Sequence, residues 1–187
     1  MKVHFLGAAG TVTGSKIIIE SEKGTVLIDC GLFQGIKPLR ELNWEPLPVL
    51  PSTIDFVLLT HGHLDHCGWL PKLLKDGFNG KIFCTSPTKE ITKLILLDSA
   101  KIQEEEAEKA NKEQYSKHNP ALPLYTVDEV QHVFPAFKVV EKEEVVFLSE
   151  SVSFSFFYAS HILGACSITL EIEGKTLVFS GDIGQDD

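Results

Sequence analysis

Short hydrophobic runs separated by glycine dominate the first third of the chain, and this pattern is typical of β-strands joined by tight turns. It predicts strands at residues 2–6, 16–20 and 25–29, with a hairpin between the last two. Residues 54–60, IDFVLLT, are predominantly apolar, as expected of a strand that is covered on both faces. The first third therefore predicts a sheet that includes one buried strand.

The hydrophobic period changes to that of a helix in the middle of the chain. We expect Ser86 to be the N-cap of a long amphipathic helix and Pro87 to occupy its first position. The apolar positions at helical spacing are Ile91, Leu94, Ile95 and Ile102. The acidic run at residues 104–106 is interpreted as a solvated helix face. Thr126 and Glu129 have the spacing of a capping box, which predicts a second, shorter helix.

Strand patterns return after the second helix, at residues 144–148, 152–160, 166–172 and 176–180. Strands interspersed with helices indicate an α/β protein with a mixed sheet and covering helices. A chain of 187 residues is one domain's worth of sequence and is long enough to bury a substantial core.

The net charge of −9 narrows the range of functions. An acidic domain is not a self-sufficient nucleic-acid binder, because phosphate neutralisation normally needs a basic face. Arg40 is the only arginine, so a polyanionic substrate must be held by bound cations or by protein outside this chain. No apolar stretch approaches the ~20 residues of a membrane span, and the N-terminus lacks a secretory signal, so we expect a cytoplasmic protein with no membrane partner.

Three histidines and an aspartate crowd into six residues after the buried strand: His61, His63, Asp65 and His66. Neutral imidazole and carboxylate are favoured zinc ligands, and a structural site would more often use thiolates. The four cysteines form no CxxC pair and are interpreted as buried thiols, although Cys67 follows a candidate ligand and a ligand role for it stays open. The density of histidines, which core packing does not explain, predicts an open, catalytic metal site.

Three further candidates stand where a predicted strand meets a loop: Asp29, His161 and Asp182. Ligands of open α/β sheets bind at the edge formed by strand ends, where distant residues meet. His161 by itself is a weak signal, because single histidines are often structural. Because the other candidate residues also lie at the ends of predicted strands, we expect all of them to converge on one site.

The motifs resemble those of a known family. HGHLDHCGWLP, at residues 61–71, resembles the HxHxDH signature of the metallo-β-lactamase superfamily, and LIDCG, ASHILGA and FSGDIG match its other motifs in order. GAAGTVTGS near the N-terminus, together with GHLDHCGWLP, is similar to the β-CASP RNA nucleases. The resemblance implies an αββα sandwich of the metallo-β-lactamase type.

The resemblance also implies the ligand set. One zinc ion is held by His61, His63 and His161, a second by Asp65 and His66, and Asp182 bridges the two. Asp29 is implied to hold the histidine loop through hydrogen bonds. Asp65 and Asp182 carry the implied catalytic roles, in which Asp182 positions the nucleophile and Asp65 holds or accepts its proton.

In this superfamily the second zinc takes one more histidine, well after the motif that contains Asp182, and the chain has none there. We therefore interpret residues 1–187 as the N-terminal part of a metallo-β-lactamase domain, an incomplete sandwich without the capping domain and the closing strands. We expect the first zinc site to fill and the Asp65/His66 site to be weak or empty, which gives one zinc or none in this chain by itself. An uncovered sheet edge predicts self-association into a homo-oligomer.

The implied activity is zinc-dependent hydrolysis of phosphodiester bonds in RNA, by an endonuclease or exonuclease of the kind that processes mRNA 3′ ends. We expect the chain to be inactive by itself. One alternative is a hydrolase of the same superfamily that cleaves a small-molecule thioester or lactone, because its ligands would be nearly identical. The other is a non-catalytic scaffold within an RNA-processing complex.

Overall fold

Two β-sheets pack face to face in the computed structural model, which describes residues 1–185. The strands of the larger sheet are β1 (Lys2–Gly7), β2 (Lys16–Ser21), β3 (Gly24–Ile28), β4 (Phe56–Leu58), β5 (Lys81–Cys84) and β6 (Phe137–Val139). They are arranged in chain order, with β1 to β3 antiparallel and β3 to β6 parallel. The smaller sheet is antiparallel in the order β10-β9-β8-β7 and contains β7 (Val146–Ser149), β8 (Val152–Tyr158), β9 (Cys166–Ile172) and β10 (Lys175–Phe179).

The buried strand β4 is shorter than its apolar pattern predicts. Only three residues of the predicted run pair as a strand, yet Val57 and Leu58 are both fully buried. Val57 packs beneath the helices and Leu58 packs between the two sheets, which explains the lack of alternation. The pattern did not predict β5 or β6, because runs of three or four residues in a parallel sheet carry no clear period.

The helices are α1 (Lys37–Glu41), α2 (Leu64–Cys67), α3 (Leu70–Lys75), α4 (Ser86–Glu113) and α5 (Val127–Gln131). The long helix is capped by Thr85 and not by Ser86 as predicted, because Thr85 is extended and its side chain accepts a hydrogen bond from the backbone of Thr88. The capping box of Thr126 and Glu129 is present at the start of α5. In the part of the chain that the structure describes, no helix has both the length and the apolar character that crossing a membrane requires.

Two hydrophobic cores define the layers. One lies between the larger sheet and the helices, and the other fills the space between the sheets, where Leu58 faces Phe154 and Phe156. The mixed α/β class is confirmed, with one helical layer followed by two sheets. On the outer side of the smaller sheet, Phe157 and Val178 are exposed. The prediction concerning a capping domain stays a prediction.

Candidate metal centre

Three strand ends deliver the candidate ligands to one rim of the molecule. His61 and His63 follow β4, His161 follows β8, and Asp182 follows β10. The short helix α2 begins directly after His63 and carries Asp65 and His66. The amide of Cys166, at the start of β9, donates a hydrogen bond to the carbonyl of Thr60 at 3.0 Å and so joins the two sheets beside these strand ends.

Backbone hydrogen bonds join these loops to one another. The amide of Cys30 donates to the carbonyl of His66 at 2.7 Å, and the amide of Ser15 donates to the carbonyl of Asp65 at 2.9 Å. Gly31 lies so close to this loop that an added Cβ would stand 1.6 Å from the carbonyl oxygen of Asp65. The loop after β3 and the segment GAAGTVTGS thus pack directly against the histidine motif.

The first donor set consists of three imidazoles and one carboxylate. One ligand atom each from His61, His63, His161 and Asp182 lies within 4.8 Å of all the others. Nδ1 of His63 is 3.0 Å from Nε2 of His61 and 3.1 Å from Nε2 of His161. Oδ2 of Asp182 lies 3.5 Å from Nε2 of His161. A tetrahedral ion with bonds of ~2.1 Å separates its ligands by about 3.4 Å, so this donor set fits zinc.

A second donor set lies on the other side of Asp182. Its Oδ1 atom is 3.4 Å from Nε2 of His66, and Oδ2 of Asp65 is 3.9 Å from the same nitrogen. The two oxygens of Asp182 therefore face different donor sets. This arrangement fits a carboxylate that bridges two cations.

Asp29 stands behind both donor sets and is buried to 2% exposure. It adopts a left-handed backbone conformation, with a φ of 55°, at the end of β3. Its Oδ2 atom accepts a hydrogen bond from Nδ1 of His66 at 2.7 Å, and its Oδ1 atom accepts from the backbone amide of Thr60 at 2.8 Å. Asp29 thus orients His66 so that the opposite ring nitrogen faces Asp182.

The pKa values of His61 and His66, which both contact Thr60, are shifted in opposite directions. Burial, reinforced by the neighbouring imidazoles of His66, His63 and His161, lowers the pKa of His61 to about 3. For His66, burial alone would lower the pKa, but the hydrogen bond and charge of Asp29 raise it above the ordinary value. A neutral His61 keeps a lone pair for a metal ion, and a cation can take the place of the proton on His66.

Sequence reasoning missed Thr60. Its side chain touches Asp29, His61 and His66, although the pattern gave it no role. Its position directly before His61, at the end of a buried strand, was the available signal. Cys67, in contrast, lies outside the donor sets, since its Sγ atom contacts the carbonyl of Gly62 and burial raises the pKa of its thiol. All four cysteines are free and buried, as predicted.

Comparison with known proteins identifies sequences that are similar to this chain. Residues 10–186 match the model of the metallo-β-lactamase superfamily. Ribonuclease TTHA0252 of Thermus thermophilus is 34% identical over 98% of this chain and 38% of its own length. The RNase J-like protein of Methanocaldococcus jannaschii is 29% identical over 98% of this chain and 36% of its own length. The cleavage and polyadenylation specificity factor 73 of Drosophila melanogaster is 29% identical over 99% of this chain and 25% of its own length.

The chain thus spans less than two fifths of the length of these three relatives. Among solved structures, a metallo-β-lactamase with a HARLDQ motif from Cronobacter sakazakii superposes with a TM-score of 0.52 at 20% identity, covering 91% of this chain and 53% of that one. MEM-A1, a subclass B3 metallo-β-lactamase from a soil metagenome, gives a TM-score of 0.51 at 20% identity, covering 89% and 55%. At these identities the similarity concerns the fold.

Proposed function

Because the chain belongs to the metallo-β-lactamase superfamily, we propose that it carries the zinc centre of a β-CASP ribonuclease, an enzyme that hydrolyses phosphodiester bonds in RNA. The names of its relatives support this substrate class, since they include a ribonuclease, an RNase J-like protein and a cleavage and polyadenylation factor. We also propose a cytoplasmic location, which four thiols that remain free support.

The observation that carries the proposal is the orientation of Asp182 between two donor sets. Its Oδ2 atom faces His161 at 3.5 Å and its Oδ1 atom faces His66 at 3.4 Å. When two zinc ions are bound at such a site, they lower the pKa of water from ~15.7 towards 7 and stabilise negative charge on a phosphate. The same ions would offset the repulsion between an RNA backbone and a chain of net charge −9.

Each residue has a separate task in this proposal. His61, His63 and His161 would hold one cation, and Asp65 and His66 would hold the other. Asp182 stands between the two and positions the attacking water for in-line attack on phosphorus. The carboxylate of Asp65, which is 21% exposed, is close enough to His66 to share its cation and reachable enough to accept the proton of that water. Asp29 keeps the ring of His66 aimed at the centre.

The experiment compares substrates and variants. The 187-residue chain, and the product of the complete reading frame that contains it, are incubated with zinc and end-labelled single-stranded RNA, and in parallel with thioester and lactone substrates. Zinc-dependent RNA cleavage that Asp182→Asn abolishes, and that Asp128→Asn on the distant helix α5 leaves unchanged, supports the proposal. Thioester or lactone hydrolysis without RNA cleavage overturns it in favour of a small-molecule hydrolase. RNA binding without any hydrolysis by the product of the complete reading frame overturns it in favour of a non-catalytic scaffold.

A further inference from the structure

The hydroxyl of Thr60 lies at the centre of a buried polar network. Its Oγ1 atom is 2.9 Å from both carboxylate oxygens of Asp29 and 3.0 Å from Nδ1 of His61. The distance from Oγ1 to Nδ1 of His66 is longer, at 3.5 Å. Thr60 is 1% exposed, so water does not compete for these contacts.

The backbone of Thr60 is held on two sides, which fixes the position of this hydroxyl. Its amide donates to Oδ1 of Asp29 at 2.8 Å, and its carbonyl accepts from the amide of Cys166 at 3.0 Å. The second contact joins the end of β4 to the first residue of β9. Thr60 therefore connects the strand before His61 to the strand that follows the loop of His161.

The number of available protons fixes which atoms of this network donate hydrogen bonds and which accept them. A threonine hydroxyl has one proton to donate, and a carboxylate can only accept, so Thr60 donates to Asp29. The oxygen of Thr60 then accepts the hydrogen bond from His61, which places the proton of that imidazole on Nδ1. The lone pair of His61 is left on Nε2, the atom that lies 3.0 Å from His63 and 3.9 Å from Oδ2 of Asp182.

His66 forms a hydrogen bond with the same carboxylate directly. Its Nδ1 atom donates directly to Oδ2 of Asp29 at 2.7 Å, which leaves Nε2 free to face Asp182. One buried carboxylate thus acts on a histidine of each donor set, directly on His66 and through a hydroxyl on His61.

We infer that Thr60 is a positioning residue that relays the hydrogen bond of Asp29 to His61 and so fixes the ring tautomer in which Nε2 can bind a metal ion. The inference rests on the proposed metal centre for its functional meaning, but the tautomer itself is a property of the metal-free protein. It assigns to Thr60 a role that is distinct from that of Asp29, because only His61 depends on the hydroxyl.

The test is a measurement of histidine tautomers by ¹⁵N NMR in the metal-free chain at mildly alkaline pH, with a chelator present. In the wild type we expect both His61 and His66 to carry their proton on Nδ1. In Thr60→Val, which has the same shape without the hydroxyl, His61 should shift towards the Nε2-protonated tautomer while His66 is unchanged. Thr60→Ser, which restores the hydroxyl, should restore the wild-type signal. Wild-type His61 protonated on Nε2 would overturn the inference without any variant.

Zinc affinity, measured by competition with a chromophoric chelator, provides the second readout. We expect Thr60→Val to bind its tightest zinc ion about 10- to 100-fold more weakly, and Thr60→Ser to remain within about threefold of the wild type. Thr92→Val is the matched control, because Thr92 is also fully buried and lies outside the donor sets. An unchanged tautomer and affinity in a folded Thr60→Val would overturn the relay alone, whereas absence of zinc binding both by the chain and by the product of the complete reading frame would overturn the proposed metal centre.

Discussion

The Nδ1 atom of His66 lies 2.7 Å from the Oδ2 atom of Asp29, and both side chains are almost completely buried. The pair links two segments that are 37 residues apart in the chain, the loop after β3 and the short helix α2. Burying either partner by itself would be costly, because an unpaired buried charge is poorly solvated. The pair therefore contributes to stability as well as to the orientation of a candidate ligand.

Replacement of Asp29 by Asn should lower the free energy of unfolding by about 3 kcal/mol, because it leaves the polar groups of His66 and Thr60 poorly matched. Asp55→Asn is the control, since Asp55 accepts one hydrogen bond from the exposed amide of Thr25 and should cost less than about 1 kcal/mol. Urea denaturation of the metal-free protein measures both values. Equal losses in the two variants would contradict a special role for the buried pair.

The same pair gives a pH dependence whose sign follows from the raised pKa of His66. The folded state binds a proton on His66 more tightly than the unfolded state does. This stabilisation is fully present below about pH 6.5 and is lost as the pH rises through the raised value. In Asp29→Asn the loss of stability above pH 6.5 should be smaller, and an unchanged pH profile would contradict this assignment.

Zinc should bind first to the set with three imidazoles. His63→Ala removes the nitrogen that lies 3.0 and 3.1 Å from its two neighbours, and we expect roughly 100-fold weaker binding of the tightest zinc ion. His118→Ala, which removes an exposed histidine outside the donor sets, should bind like the wild type. Calorimetric titration separates a tight first ion from a weaker second one held by Asp65 and His66. Two ions of equal, high affinity would contradict the predicted order.

Gly31 lies so close to Asp65 that we expect position 31 to tolerate no side chain. Gly31→Ala forces a methyl group into the carbonyl of Asp65 and should cost about 3 kcal/mol of stability and displace the histidine loop. In Gly35→Ala the added methyl meets nothing within 4 Å, so only the positive φ of 91° contributes, at about 1–2 kcal/mol. Thermal unfolding compares the two, and a smaller loss at Gly31 than at Gly35 would be incompatible with the packing described.

Lys16 provides a pH dependence outside the metal centre. Burial, opposed in part by Cys30, lowers its pKa from 10.5 to about 8, although its Nζ atom donates to the carbonyl of Gly31. Between pH 8 and 10.5 the unfolded chain binds more protons at Lys16 than the folded one does, so the contribution of Lys16 to stability should rise with pH, by about 3 kcal/mol in total. The buried thiols, whose pKa values burial raises, act in the opposite direction above pH 9. The stability of Lys16→Met relative to the wild type should therefore fall as the pH rises across this interval, whereas Lys37→Met, at a 60% exposed side chain, should follow the wild-type profile. Denaturation at several pH values across the interval checks both slopes.

The edge of the smaller sheet should mediate self-association. Within residues 1–185, β10 pairs only with β9, and Val178 on this edge strand is 68% exposed. We expect the average mass in sedimentation experiments to rise with concentration, and Val178→Lys to reduce this rise because charged residues discourage edge pairing. Val145→Lys, at an exposed valine outside the strands, should have no effect. A monomer at every concentration would contradict the prediction.

The sequence alone determined the chemistry and much of the scaffold. The crowding of His61, His63, Asp65 and His66 predicted a metal site, and hydrophobic periodicity located the strands that deliver them, because both signals are local in the chain. Periodicity did not find β5 and β6, whose short parallel strands exist only through pairing with distant neighbours.

Tertiary structure decided how the candidate residues face one another. The division of the two Asp182 oxygens between donor sets, and the contacts of Thr60 with Asp29 and His61, depend on the packing of loops from four strands. These distances of a few ångströms are set by sheet register and by close glycine contacts between segments far apart in sequence. A linear pattern names the residue types that can bind a metal, but only the folded backbone fixes which atom of each one points at the ion.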